Sequence, residues 1–134
     1  MAKLTMVEGI GEVYAGKLQQ AGVKSTGDLF AKGATPKGRQ EIAENSGISE
    51  SKILEWVNHV DLFRIKGVGE EYADLLEEAG VDTVVELAKR NADNLHQKLV
   101  EVNAVKKLVR QLPAKSQVVS WIEQAKQLPR GVFY

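Results

Sequence analysis

The chain of 134 residues contains no cysteine. That excludes disulfides and thiolate metal sites and suits a reducing compartment. No apolar run approaches the roughly 20 residues that span a bilayer. The opening MAKLTMVEGIG lacks the apolar core of a signal peptide, so the expected location is the cytoplasm, with no membrane partner. Net charge is absent as well, because 18 basic side chains balance 18 acidic ones. A dedicated nucleic-acid binder usually carries a basic excess; here any excess is local. Residues 1–63 sum to −1, residues 64–100 to −3 and residues 101–134 to +4. Strand signals are nearly missing too, since no segment alternates apolar and polar residues over strand length. The fold class implied is all-α.

What the sequence does contain is an echo. VEGIGEVYAGKLQQAGV at 7–23 aligns without a gap on IKGVGEEYADLLEEAGV at 65–81, an offset of 58. SKILEWVNHV at 51–60 matches SQVVSWIEQA at 116–125, an offset of 65. The second copy has therefore gained 7 residues, most simply in the basic stretch 98–115. Two units of about four helices follow, 1–63 and 64–134, each too short to bury a core alone and expected to share one.

Helix punctuation supports this division. Ser25 and Thr83 open short helices, the second through a capping box with Glu86. Thr35-Pro36 reads as N-cap plus first helical position. Ser49, Asp93 and Ser116 are expected to cap the helices that follow them. Gly22, Gly47 and Gly80 stand where helices end. The segment 104–111 either extends the helix begun at Asp93 or starts another.

The phrase Gly-x-Gly makes a sharp turn that other residues would strain. The helices starting at Glu12 and Glu70 would aim their first N–H groups at that turn, and such amides suit an anion. Ile10 and Val68 would tuck inward. The pattern resembles the helix–hairpin–helix motif, carried by Val7, Gly9-Ile10-Gly11, Ala15 and Leu18, and again by Ile65, Gly67-Val68-Gly69, Ala73 and Leu76. The resemblance implies hairpin amides that hold DNA phosphates without reading bases, in pairs across the minor groove, and hairpin carbonyls that sometimes hold a monovalent cation. Nearly the whole chain also resembles a small bacterial family of double helix–hairpin–helix proteins, known only as a domain of unknown function. ATPKGR at 34–39, ILEWVNHVDLFRIKGVG at 53–69 and the Leu-Pro-Arg near the C-terminus carry that likeness. The other reading of both hairpins is a tight joint between helices that touches nothing.

Charge ranks the two hairpins. Residues 65–88 hold Lys66 against seven acids, among them Glu70 and Glu71, and would repel a phosphate backbone. Near the first hairpin, Lys17 lies within reach of a phosphate. The acidic second hairpin suits a basic protein partner instead. Lys37 and Arg39 occupy the first turn of a helix, where acids are usually preferred; they would contact phosphate or stay solvated. Lys106, Lys107 and Arg110 fall on one helical side, with the same two alternatives.

Residues 39–58 also resemble a helix-turn-helix through Ala43, Gly47 and Ile53. The second helix would offer Glu50, Lys52 and Glu55 to a groove, a poor reading surface, and a plain helical corner is the simpler account. Trp56 and Trp121 occupy equivalent positions and read as core anchors, with Tyr14 and Tyr72 packed behind the hairpins. His59 and His96 are isolated, which suits surface or capping roles and no metal site. GIGEVYAG follows no strand and is no dinucleotide fingerprint. No catalytic arrangement and no cofactor is indicated. The sequence thus points to a non-catalytic module that binds duplex DNA backbone weakly through Gly9–Gly11, Lys17, Lys37, Arg39, Gly67–Gly69, Lys106, Lys107 and Arg110. The alternative is a protein–protein adaptor with no nucleic-acid role.

Overall fold

The computed structural model describes residues 3–134, and among them every regular element is helical. A 3-10 turn, Leu4–Met6, precedes α1 (Glu12–Gln20), α2 (Thr26–Gly33), α3 (Pro36–Ser46), α4 (Glu50–Leu62), α5 (Glu70–Glu78), α6 (Val84–Ala88), α7 (Ala92–Lys106) and α8 (Lys115–Gln127). The chain divides into two compact units, Met1–Asp61 with Gly131–Tyr134, and Leu62–Arg130.

Local chemistry explains most helix ends. The Ser25 hydroxyl accepts from the Asp28 amide at 3.1 Å, while the Asp28 carboxylate accepts from the Lys24 amide at 3.0 Å. Two amides at the start of α2 are thereby satisfied. Thr35 caps α3 through the Gly38 amide at 3.1 Å, with Pro36 at the first helical position. Ser49 accepts from the Lys52 amide at 3.3 Å and starts α4. Both Ala-Gly-Val phrases close their helices with a six-residue bond: Val23 N–H to the Leu18 carbonyl and Val81 N–H to the Leu76 carbonyl, each 2.9 Å.

Three expected caps are corrected. Thr83 makes no capping bond with its side chain and is buried at the start of α6, so the Thr83–Glu86 box does not form. Asn91, two residues before Asp93, caps α7 by accepting from the Asn94 amide at 3.1 Å. At α8 the cap position is Ala114, and the Gln117 side chain accepts from its amide at 2.8 Å, which leaves Ser116 inside the helix. At α7 and α8 a neighbouring side chain takes the capping role, whereas α6 starts without a side-chain cap.

In the first unit α1 and α2 both pack on α3. Leu18, Val23, Leu29, Ile53, Val57 and Trp56 are among its buried residues. The tail returns to this unit: Val132 is buried, Phe133 N–H donates to the Ala34 carbonyl at 2.8 Å, and the Tyr134 hydroxyl donates to Asn58 at 3.4 Å. In the second unit α8 packs on α6 and α7, and α5 on α7. Its core cluster includes Leu75, Leu76, Leu87, Leu95, Leu99 and Trp121. His59 is buried at 2% exposure, against the surface role the sequence suggested. His96 is half-buried and lies 3.1 Å from the Pro113 carbonyl.

Candidate functional site

Each hairpin is built around one glycine whose conformation and close neighbour both disfavour a side chain. Gly9 has φ +93° and Gly67 φ +99°, the region where a side chain is strained. A Cβ at Gly9 would also lie 3.1 Å from Trp56 Nε1, and one at Gly67 would lie 3.2 Å from Trp121 Nε1. The indole of the distant tryptophan therefore forms the floor beneath the turn. Ile10 and Val68 point into the cores, at 3% and 5% exposure, and their amides close the turns onto the Val7 and Ile65 carbonyls at 3.0 Å. Tyr14 leans on Trp56 with ring centroids 5.1 Å apart, and Tyr72 on Trp121 at 5.3 Å. The tilts of 59° and 51° suit the edge-and-face preference of aromatic pairs.

Gly11 and Gly69 are the N-caps of α1 and α5. Both are extended, and neither helix receives a side-chain cap. A Cβ at either position would meet nothing within 4 Å, so there is open space beside each cap residue. The first N–H groups of a helix lack intrahelical partners and carry the positive end of its dipole.

The surroundings of the two hairpins differ. At the first, Lys17 Nζ lies 5.8 Å from the Tyr14 ring centroid, and Lys52 Nζ, from α4, lies 5.7 Å from the same centroid. At the second, a cavity of about 450 Å³ is lined by Gly67, Gly69, Glu70, Glu71, Tyr72, Arg110 and Gln111. The loop after α7 delivers Arg110 there. Asn103 grips Val109 twice, accepting from its amide at 3.0 Å and donating to its carbonyl at 3.2 Å, and the Tyr72 hydroxyl donates to the Gln111 carbonyl at 3.0 Å. Gln124 fixes Lys66 in the same two-way manner, at 2.8 and 3.1 Å.

The other sequence-derived candidates separate into two groups. Lys37 is exposed in the first turn of α3. Arg39, two residues on, is 5% exposed, and its guanidinium donates to the Gly33 carbonyl at 2.8 Å and the Phe133 carbonyl at 2.6 Å. Burial pulls its pKa below the ordinary arginine value, opposed by the charges of Tyr134 and Glu50. It is a structural clamp, which corrects the picture of a solvent-facing or phosphate-facing side chain. The basic stretch is corrected as well. The helix stops at Lys106, Lys107 turns left-handed at φ 52°, and Arg110 sits in the loop beyond. The three therefore share no helical side. Lys106 is paired with Glu78 at 2.5 Å.

No sequence signal places Lys52 beside the first hairpin or Arg110 beside the second. Both meetings depend on packing between distant elements. The chain belongs to the family described as Domain of unknown function (DUF4332), whose model matches residues 8–128. No curated protein and no solved structure matches it. Among the described residues no helix is long and apolar enough to cross a membrane.

Proposed function

We propose that this protein is a non-catalytic binding module that holds nucleic-acid backbone, duplex DNA first, weakly and without regard to sequence. In this reading residues 1–63 and 64–134 are two helix–hairpin–helix repeats of the bacterial type that the sequence resembles, working in the cytoplasm. The observation that carries it is the pair of uncapped helix starts: Gly11 and Gly69 bring no side chain of their own, and a Cβ at either would meet nothing within 4 Å. Free amides at a helix N-terminus favour a phosphate and carry no base information. Lys17 beside the first hairpin and Lys37 on α3 add exposed positive charge in the first unit.

Backbone amide resonances provide the test. Adding a short duplex at low salt should shift the amides of Gly9, Gly11, Glu12 and Val13 in a two-dimensional NMR spectrum, for two unrelated sequences alike. Shifts confined to other surfaces would remove the hairpin from the account. A second reading has one observation in its favour: Glu70 and Glu71 line the cavity at the second hairpin. That surface suits a basic protein partner better than phosphate.

A further inference from the structure

We infer that the phosphate-holding surface is centred on Tyr14 in the first unit and that Lys52 is part of it, an inference that rests on the backbone-binding reading above. Lys17 comes from α1 and Lys52 from α4, 35 positions away in sequence, yet both ammonium groups approach one half-buried ring at 5.8 and 5.7 Å. The other neighbour of that ring is Trp56, which also floors the hairpin at Gly9. Ring and indole thus place the two lysines beside the turn. Attraction to the aromatic face favours these positions of the ammonium groups.

Among the described residues neither ammonium is ion-paired. Two like charges gathered on one ring repel each other unless an anion joins them. The ring distances keep them no further apart than about 11.5 Å. Phosphates along one strand advance about 3.4 Å of helix axis per nucleotide and lie further apart in space, so the pair reaches one phosphate or two neighbouring ones. On the backbone-binding reading, that anion is the phosphate backbone.

The second unit lacks this surface. Its equivalents, by the offsets of the repeat, are Leu75 for Lys17 and Gln117 for Lys52. Leu75 is fully buried, and the Gln117 side chain is used to cap α8. Arg110 is the one cation lining the cavity there, and it faces Glu70 and Glu71.

Fluorescence anisotropy with a labelled duplex of arbitrary sequence, followed across salt, tests this on the full chain. Lys52→Gln and Lys17→Gln should each weaken binding about three- to tenfold at low salt and flatten the log–log salt slope by about 0.9. Arg110→Gln, beside Glu70 and Glu71 at the second hairpin, should weaken binding less than either. Lys52 is exposed, so unchanged thermal melting confirms that the variant is folded. Wild-type affinity and slope in Lys52→Gln, with the parent protein binding normally, would overturn the inference and leave the backbone-binding reading standing. Failure of the parent protein to bind any duplex would end both. Displacement of the duplex by a poly-glutamate peptide at equal charge concentration would also overturn it, because the surface would then take acidic protein.

Discussion

Arg39 Nη2 donates to the carbonyl of Phe133, 94 residues away, at 2.6 Å. With its other nitrogen on Gly33, this one side chain joins the α2–α3 corner to the tail that crosses it. Both acceptors are neutral carbonyls, and the charges of Tyr134 and Glu50 favour the cation nearby. Arg39→Met should leave two buried acceptors short of a donor and cost about 2–4 kcal/mol, since bonds to charged groups are worth about 1.5–3 kcal/mol each. Arg39→Lys should restore little of this, because one ammonium cannot reproduce a planar fork. Urea unfolding monitored by Trp fluorescence would show both effects. Equal stability of Arg39→Met and the parent would mean that the tail is held without the clamp.

Glycines nine and eleven should respond differently to the same change. Gly9→Ala forces a side chain into a left-handed turn and toward the Trp56 indole, and should cost about 1–3 kcal/mol. Gly11→Ala meets open space in extended backbone and should change stability by less than about 0.5 kcal/mol. Trp56→Ala, which removes the floor, should cost about 3–5 kcal/mol. Thermal melts of the three variants test the ordering, and a Gly11 variant as damaged as the Gly9 variant would contradict it.

The loop after α7 makes a separate prediction. Lys107 is held at φ 52° with an ordinary side chain. Lys107→Gly should therefore raise stability by about 0.5–1 kcal/mol, as relief of left-handed strain outweighs the greater freedom of the unfolded chain. Asn103→Ala should lower it by about 1–2 kcal/mol through the loss of both bonds to Val109. Hydrogen exchange at Val109 should quicken in the Asn103 variant; an unchanged rate would show that the loop is fixed by other contacts.

The two hairpins should also be unequal in binding. Gly11→Val should weaken duplex binding more than Gly69→Val, provided both variants keep their helical circular dichroism. Replacing Glu70 and Glu71 together by Gln should strengthen binding, because two negative charges leave the mouth of the second hairpin. Equal losses from the two valines, or no gain from the glutamines, would reverse this ranking.

Much of this was visible in the sequence, and the part that was not has a physical cause. The repeated glycines, the tryptophans on apolar helix faces and the Ser25, Thr35 and Ser49 caps are local signals with fixed spacing. They led to helices with these boundaries to within a few residues. Arg39 was misread because a cation in a first helical turn looks solvent-bound until the tail from residue 133 covers it. Lys106, Lys107 and Arg110 were misread because helical periodicity cannot reveal that Asn103 bonds Val109 across a left-handed turn. Lys52 reads in the sequence as an outward residue of a plain helical corner, because nothing near it indicates Tyr14 as its neighbour.

The central claim is that nucleic-acid backbone is gripped through phosphate alone. The most direct measurement is the affinity of the parent protein for two unrelated duplexes between 20 and 200 mM salt, on the order of the range where such binding varies most. With about three phosphates neutralised, the log–log slope should be near −3 and the same for both sequences. No detectable binding at the lowest salt, or a flat response to salt, would contradict the claim.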